Sequence, residues 1–222
     1  MQKAIGFLAM LVLGLCLPSC SSVPTYTINI NGYTDPSTQV QVGPGGSFFI
    51  IENQEAKNPL LEKEIKEKLN KLLLSHGYPV TTVEKADFYL SFTYGIGEPQ
   101  SVSVTAPDSY GGFGMGFGYG RGYWGGPPGY GGMSWWDYST YSTTLYDRWL
   151  RLTAVEGAAY RTKKISRPVW VGEAHSVGTS SDLRTVLNFL LVADFKEFGK
   201  NTGKAVTMEI NDQNPEVAAL TR

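Results

Sequence analysis

The run Asp87 to Gly97, DFYLSFTYGIG, constrains this chain more than any other stretch. Phe88, Leu90, Phe92, Tyr94 and Ile96 fall on one side of an extended backbone. Tyr89, Ser91 and Thr93 fall on the other. Such a strand buries one face, so the chain must supply an apolar layer to cover it. The segment just upstream has the pattern of that layer. Asn58 and Pro59 form a helix start, because Asn caps well and Pro is tolerated at the first helical position. Leu61, Ile65, Leu69, Leu72 and Leu73 recur at helical spacing, and Glu62 to Lys68 carries charges over the rest of the surface, with Glu64 and Lys68 four apart. Gly77 after His76 suits a left-handed C′ residue, and Pro79 prevents continuation.

Further extended runs flank this pair. Tyr26 to Ile30 alternates before the Asn31-Gly32 turn, and Ser47 to Ile51 is a short β-favouring run after Gly43 to Gly46. Tyr138 to Val155 is extended, with Tyr146, Leu150, Leu152 and Ala154 on one side. Pro168 to Val177 is another strand. Ser181-Asp182 starts a second helix, with a stripe of Leu183, Val186, Leu187, Leu190, Leu191 and Phe198 closed by Gly199. Ala205 to Ile210 is read as a last strand, and residues 211–222 as a disordered tail. The expectation is a single α+β domain over residues 25–210. It has a mainly antiparallel sheet and two helices packed on one face, a two-layer sandwich, since no short connection requires a parallel crossover.

Residues 107–134 interrupt that pattern. They hold twelve glycines and seven aromatics, with Asp108 and Arg121 as the only charges. Glycine loses much backbone entropy on ordering, and no helix or strand period is present. A long flexible insertion between two strands is expected.

The amino terminus specifies an address. Lys3 precedes Ala4 to Leu17, fourteen uncharged residues. As a helix these would extend roughly 21 Å, against about 30 Å of bilayer hydrocarbon. The run is too short for a span and fits a signal-peptide core. Leu17-Pro18-Ser19-Cys20 resembles a bacterial lipobox, which implies cleavage after residue 19, a diacylglyceride on the Cys20 sulfur, and a tether over residues 20–24. Several acyl chains would anchor the protein stably, at about 0.8 kcal/mol per buried methylene. The other cysteine, Cys16, falls in the removed segment, so the folded part would have no thiol for disulfide, nucleophile or metal. Ser21, by analogy with lipoprotein sorting in Gram-negative bacteria, favours the outer membrane over the inner.

Taken together, "NPLLEKEIKEKLNKLLLSHGYPV", "ADFYLSFTYGIG" and "RPVWVGEAHS" before a terminal helix resemble the bacterial lipoprotein family called domain of unknown function 4136. The corresponding steps are Gly77-Tyr78, Ala86-Asp87 and Trp170-Val171-Gly172. The resemblance spans roughly Thr25 to Ile210. It implies an envelope lipoprotein with a compact α+β domain, and it brings no established activity or catalytic residue.

Chemistry-bearing patterns are sparse. Net charge is −1, which gives no pull toward nucleic acid. Gly120-x-Gly122-x-x-Gly125 matches a dinucleotide fingerprint only formally, because glycine and Pro127-Pro128 replace the strand and helix it needs. Two histidines and no free cysteine argue against zinc, and no cofactor is expected. His76 suits a helix C-terminus, where the dipole favours it. Glu173 and His175 lie two apart on one strand face and form a candidate acid–base pair for an envelope hydrolase. Their alternative is a solvated sheet face. Among the insertion's aromatics, Tyr119, Tyr123 and Trp124 are candidate contacts for an envelope protein or a glycan. The leading expectation is a non-enzymatic, lipid-anchored, periplasm-facing binding or scaffolding module, with self-association through the aromatic segment as a further reading.

Overall fold

The computed structural model describes residues 24–38, 40–53, 55–107, 138–163 and 167–221. Its elements in chain order are β1 (Thr25–Thr34), β2 (Phe48–Ile50), α1 (Pro59–Ser75), β3 (Phe88–Ile96), β4 (Gln100–Pro107), β5 (Tyr138–Glu156), α2 (Gly157–Lys163), β6 (Pro168–Gly178), α3 (Leu183–Lys196), β7 (Val206–Asn211) and α4 (Pro215–Thr221). The seven strands make an open sheet of order β2-β3-β5-β6-β1-β7, with β4 pairing β5 off that path.

The sheet is mostly antiparallel, as the alternation suggested. One pair departs from that. β2 runs parallel to β3, Phe48 opposite Phe88 and Ile50 opposite Leu90, so α1 forms a crossover between them. β5 serves two partners along its length. Its first part, Tyr138 to Leu145, pairs β4, and Arg148 to Glu156 pairs β3. β4 and β3 thus follow one another along the same strand.

Helix boundaries follow the capping chemistry. The Asn58 side chain accepts the Leu61 N–H at 3.1 Å, and the Asp182 side chain accepts the Thr185 N–H at 3.2 Å. At the end of α1, Gly77 takes φ +80°, and Tyr78 N–H donates to the Leu73 carbonyl at 2.8 Å, a left-handed stop. Every residue of α3 from Val186 to Phe195 is buried, as expected of a helix enclosed by its neighbours.

One core cluster joins sheet and helices. Ile28, Ile30, Leu90, Phe92, Leu150, Leu152, Ala154, Trp170 and Ala174 meet Ile65, Leu69, Leu72 and Leu73 of α1 and Val186, Leu187, Leu190 and Leu191 of α3.

The tail corrects the expectation of disorder. Residues 215–221 form α4, with Val217 and Leu220 buried. Asn214 accepts the Glu216 N–H at 3.0 Å as a cap, and Pro215 opens the helix. A short apolar pair finds a place in the core beside α3, and that burial holds it. The expected signal segment 1–19, nearly all of the tether and nearly all of the 107–134 insertion lie outside the described residues.

Candidate functional site

β5 and β6 are central strands, and their antiparallel register decides which side chains meet. Leu150 faces Ala174 and Leu152 faces Gly172 on the core side. The alternate residues point away from the core. There Trp149 lies opposite His175, and Arg151 lies opposite Glu173, with Asp147 one step along.

These outward groups engage across the strands. The Arg151 guanidinium donates to Glu173 Oε1 at 2.5 Å. The Asp147 carboxylate meets His175 Nδ1 at 3.3 Å from both oxygens. The side chains are partly exposed, Asp147 and His175 each at 41%, so each pair contributes only about 0–1 kcal/mol to stability. Trp149 sits between them and against β3. An ideal Cβ on Gly95 would come within 2.8 Å of the indole Cζ2, so glycine provides the indole with its seat on the sheet. Gly97, Asp147, Trp149, Leu150, Arg151, Glu173 and His175 line a cleft of about 420 Å³.

Beneath this face lies a buried carboxylate. Asp194 of α3 is 0% exposed, and neither of its oxygens has a hydrogen-bond partner among the described residues. It packs against Gly172, one residue from Glu173. Burial, and secondarily the charge of Glu173, pushes Asp194 well above the usual carboxylate range. At the end of the same strands, Arg148 is 2% exposed. It donates to the Ser176 carbonyl at 3.0 Å, the Ser180 carbonyl at 2.9 Å and Ser176 Oγ at 3.3 Å. Desolvation lowers its pKa.

Glu173 and His175 therefore do share a cleft, but each is held by its own β5 partner, Glu173 by the Arg151 ion pair and His175 by a hydrogen-bonded contact with Asp147. His76 caps α1 and meets Glu216 of α4 at 3.1 Å. Cys20, Tyr119, Tyr123 and Trp124 lie outside the described residues. Among the described residues no group of three or more His, Cys, Asp or Glu is placed to hold a metal ion. No described helix is long and apolar enough to cross a membrane.

Asp147, Trp149 and Arg151 were not singled out by sequence reasoning. Their signal was present as the outward phase of a strand whose inward phase is Leu150, Leu152 and Ala154. What the sequence lacked was the register that sets them opposite Glu173 and His175.

The family described as "Domain of unknown function (DUF4136)" matches residues 24–198. Among solved structures, a PDZ domain protein from Parabacteroides distasonis is similar at 15% identity and a TM-score of 0.40, covering 87% of this chain and 41% of its own. This chain thus spans less than half the length of that protein. The PelC dodecamer from Paraburkholderia phytofirmans is similar at 10% identity and a TM-score of 0.39, covering 78% of this chain and 99% of that one. No curated protein matches the chain.

Proposed function

The chain belongs to the family of the domain of unknown function 4136, and from that premise we propose that it is a lipid-anchored, periplasm-facing envelope module that binds a partner without altering it chemically. In this reading Cys20 carries the anchor and Ser21 directs the protein to the outer membrane. α1 and α3 cover the sheet face that holds Trp170, as a two-layer arrangement; α2 packs on the far end of the other face, around Tyr89 and Val155, and the stretch around Trp149 is left for the partner. The observation that carries the binding role is the pairing inside the cleft. Arg151 holds Glu173, and Asp147 holds His175. An aromatic side chain bordered by a few convergent polar groups has the composition of a small-ligand recognition surface.

Anchoring confines the domain to a surface, where weak contacts gain from a raised effective concentration. The aromatic segment with Tyr119, Tyr123 and Trp124 is proposed as a second contact element. The test is crosslinking in cells with three proteins: wild type, Cys20→Ala, and a deletion of Gly111 to Gly132. The expected result is that Cys20→Ala leaves the membrane fraction, and that the deletion keeps the wild-type melting temperature but captures less partner. Unchanged capture by the deletion would remove the segment's role. Intact mass with the first nineteen residues retained would remove the anchor.

A further inference from the structure

We infer that the Trp149 cleft is a saccharide-binding site that seats a neutral sugar ring against the indole. This deepens the binding role proposed above and rests on it for the choice of face. A sugar ring presents apolar C–H faces and a rim of hydroxyls, each both donor and acceptor. It is best held by an aromatic surface bordered by donors and acceptors together. The cleft has that composition. Trp149, half-buried, is seated against Gly95. Arg151 supplies donors, Glu173 and Asp147 supply acceptors, and His175 completes the border.

Charge decides the class of ligand. The Arg151 guanidinium is held by Glu173 at 2.5 Å, and Asp147 is engaged by His175 at 3.3 Å. An anion entering the cleft meets the Asp147 and Glu173 carboxylates, and the guanidinium there is already held by Glu173, whereas a hydroxyl can donate to either carboxylate and accept from Arg151. The fold also disfavours an extended peptide. β5 lies between β3 and β6, and β6 lies between β5 and β1, so their backbone groups are committed to ladders and offer no edge for strand addition. The volume of about 420 Å³ is within the roughly 300–1,000 Å³ typical of small-ligand clefts.

The experiment titrates the full-length protein, in detergent, with short neutral oligomers of glucose, galactose, mannose and N-acetylglucosamine, reading indole fluorescence and heat. At least one oligomer is expected to bind, with an affinity that changes little between about 0.05 and 0.5 M salt. Trp149→Ala should weaken it about tenfold or more, while Trp149→Phe retains most of it. Asp147→Ala, at a half-exposed position, should weaken it several-fold while lowering the melting temperature by no more than about 4 °C, and serves as the second variant if Trp149→Ala misfolds. Binding by none of the oligomers overturns the inference, as does binding that survives Trp149→Ala or falls steeply with salt. A protein crosslinked to this face with no saccharide bound would sink the saccharide and keep the envelope-binding role. Loss of the Cys20 anchor with saccharide binding intact would do the reverse.

Discussion

Replacing Gly172 by alanine tests the packing on which the sheet's central strands depend. An ideal Cβ at residue 172 would lie 2.3 Å from Asp194 Oδ1, 2.3 Å from Trp170 Cη2 and 2.7 Å from Cζ2. Neither neighbour can simply swing away. Trp170 is 1% exposed, its indole N–H donates to the Lys200 carbonyl at 3.0 Å, and its ring meets Phe198 at 4.7 Å. Asp194 is on the enclosed helix α3. Overpacking of this kind costs about 1–3 kcal/mol. Displacing the indole adds the lost hydrogen bond, about 0.5–1.5 kcal/mol. The expected destabilisation is therefore about 1.5–4.5 kcal/mol, or roughly 3–18 °C in Tm for a chain of this size. Thermal denaturation followed by circular dichroism measures it. The double variant Gly172→Ala with Asp194→Ala removes one of the two obstacles and should recover part of the loss, a non-additivity that reports direct contact. A Gly172→Ala protein melting within about 1 °C of wild type would refute the packing argument.

Other consequences follow from the buried and capping groups. The native state keeps the Asp194 proton over a range where the unfolded chain has lost it, because burial raises its pKa. Stability is therefore lost as pH rises from the unfolded carboxylate range through the folded value. Asp194→Asn cannot ionise, so its urea midpoint should gain on wild type as pH rises, and a constant difference would refute this. Asp182 has the opposite sign: hydrogen bonding from Thr185 lowers its pKa, so its stabilisation is present above the unfolded carboxylate pKa and lost as pH falls through the folded one. Asp182→Ala should cost about 0.5–2 kcal/mol near neutrality, toward the lower end for an exposed cap, and progressively less in acid denaturation series. Arg148→Leu leaves the Ser176 and Ser180 carbonyls without their charged donor. At about 1.5–3 kcal/mol for each such bond, it should lose about 3 kcal/mol or more, with faster amide exchange around residues 176–182. Unchanged exchange would refute it.

What could be read from residues alone was what periodicity and capping encode. Asp87 to Gly97 alternates because Phe88, Leu90 and Phe92 enter the shared core, and the helix starts at Asn58 and Asp182 are local hydrogen bonds that need no tertiary knowledge. The short elements were less legible. β2 has three residues, too few for alternation to show, and its parallel pairing depends on where α1 returns the chain. α4 has a cap at Asn214, a proline at its first position and two apolar residues three apart, yet seven residues make no stable helix by propensity. Only packing in the shared core makes it one. The cleft was half-legible for a similar reason. Glu173 and His175 stand out as titratable groups two apart, while Asp147, Trp149 and Arg151 acquire meaning only through the β5–β6 register.

That register has its own origin in β6. Trp170, Gly172 and Ala174 are buried on one face, and Glu173 and His175 project from the other. A slip of one residue would exchange the two sets and put Glu173 into the core. The Trp-x-Gly step resists this, because the Trp170 ring occupies the space left by the missing side chain of Gly172, a fit available in one phase only. The Trp170-Val171-Gly172 step thus fixes which side chains border Trp149. Because β5 and β6 are each flanked by two strands, the outward groups stand on the part of the sheet least prone to local opening. Strand-borne sites hold their geometry better than loop-borne ones. Trp170 and Gly172, packed into each other on the buried face, hold that platform in place.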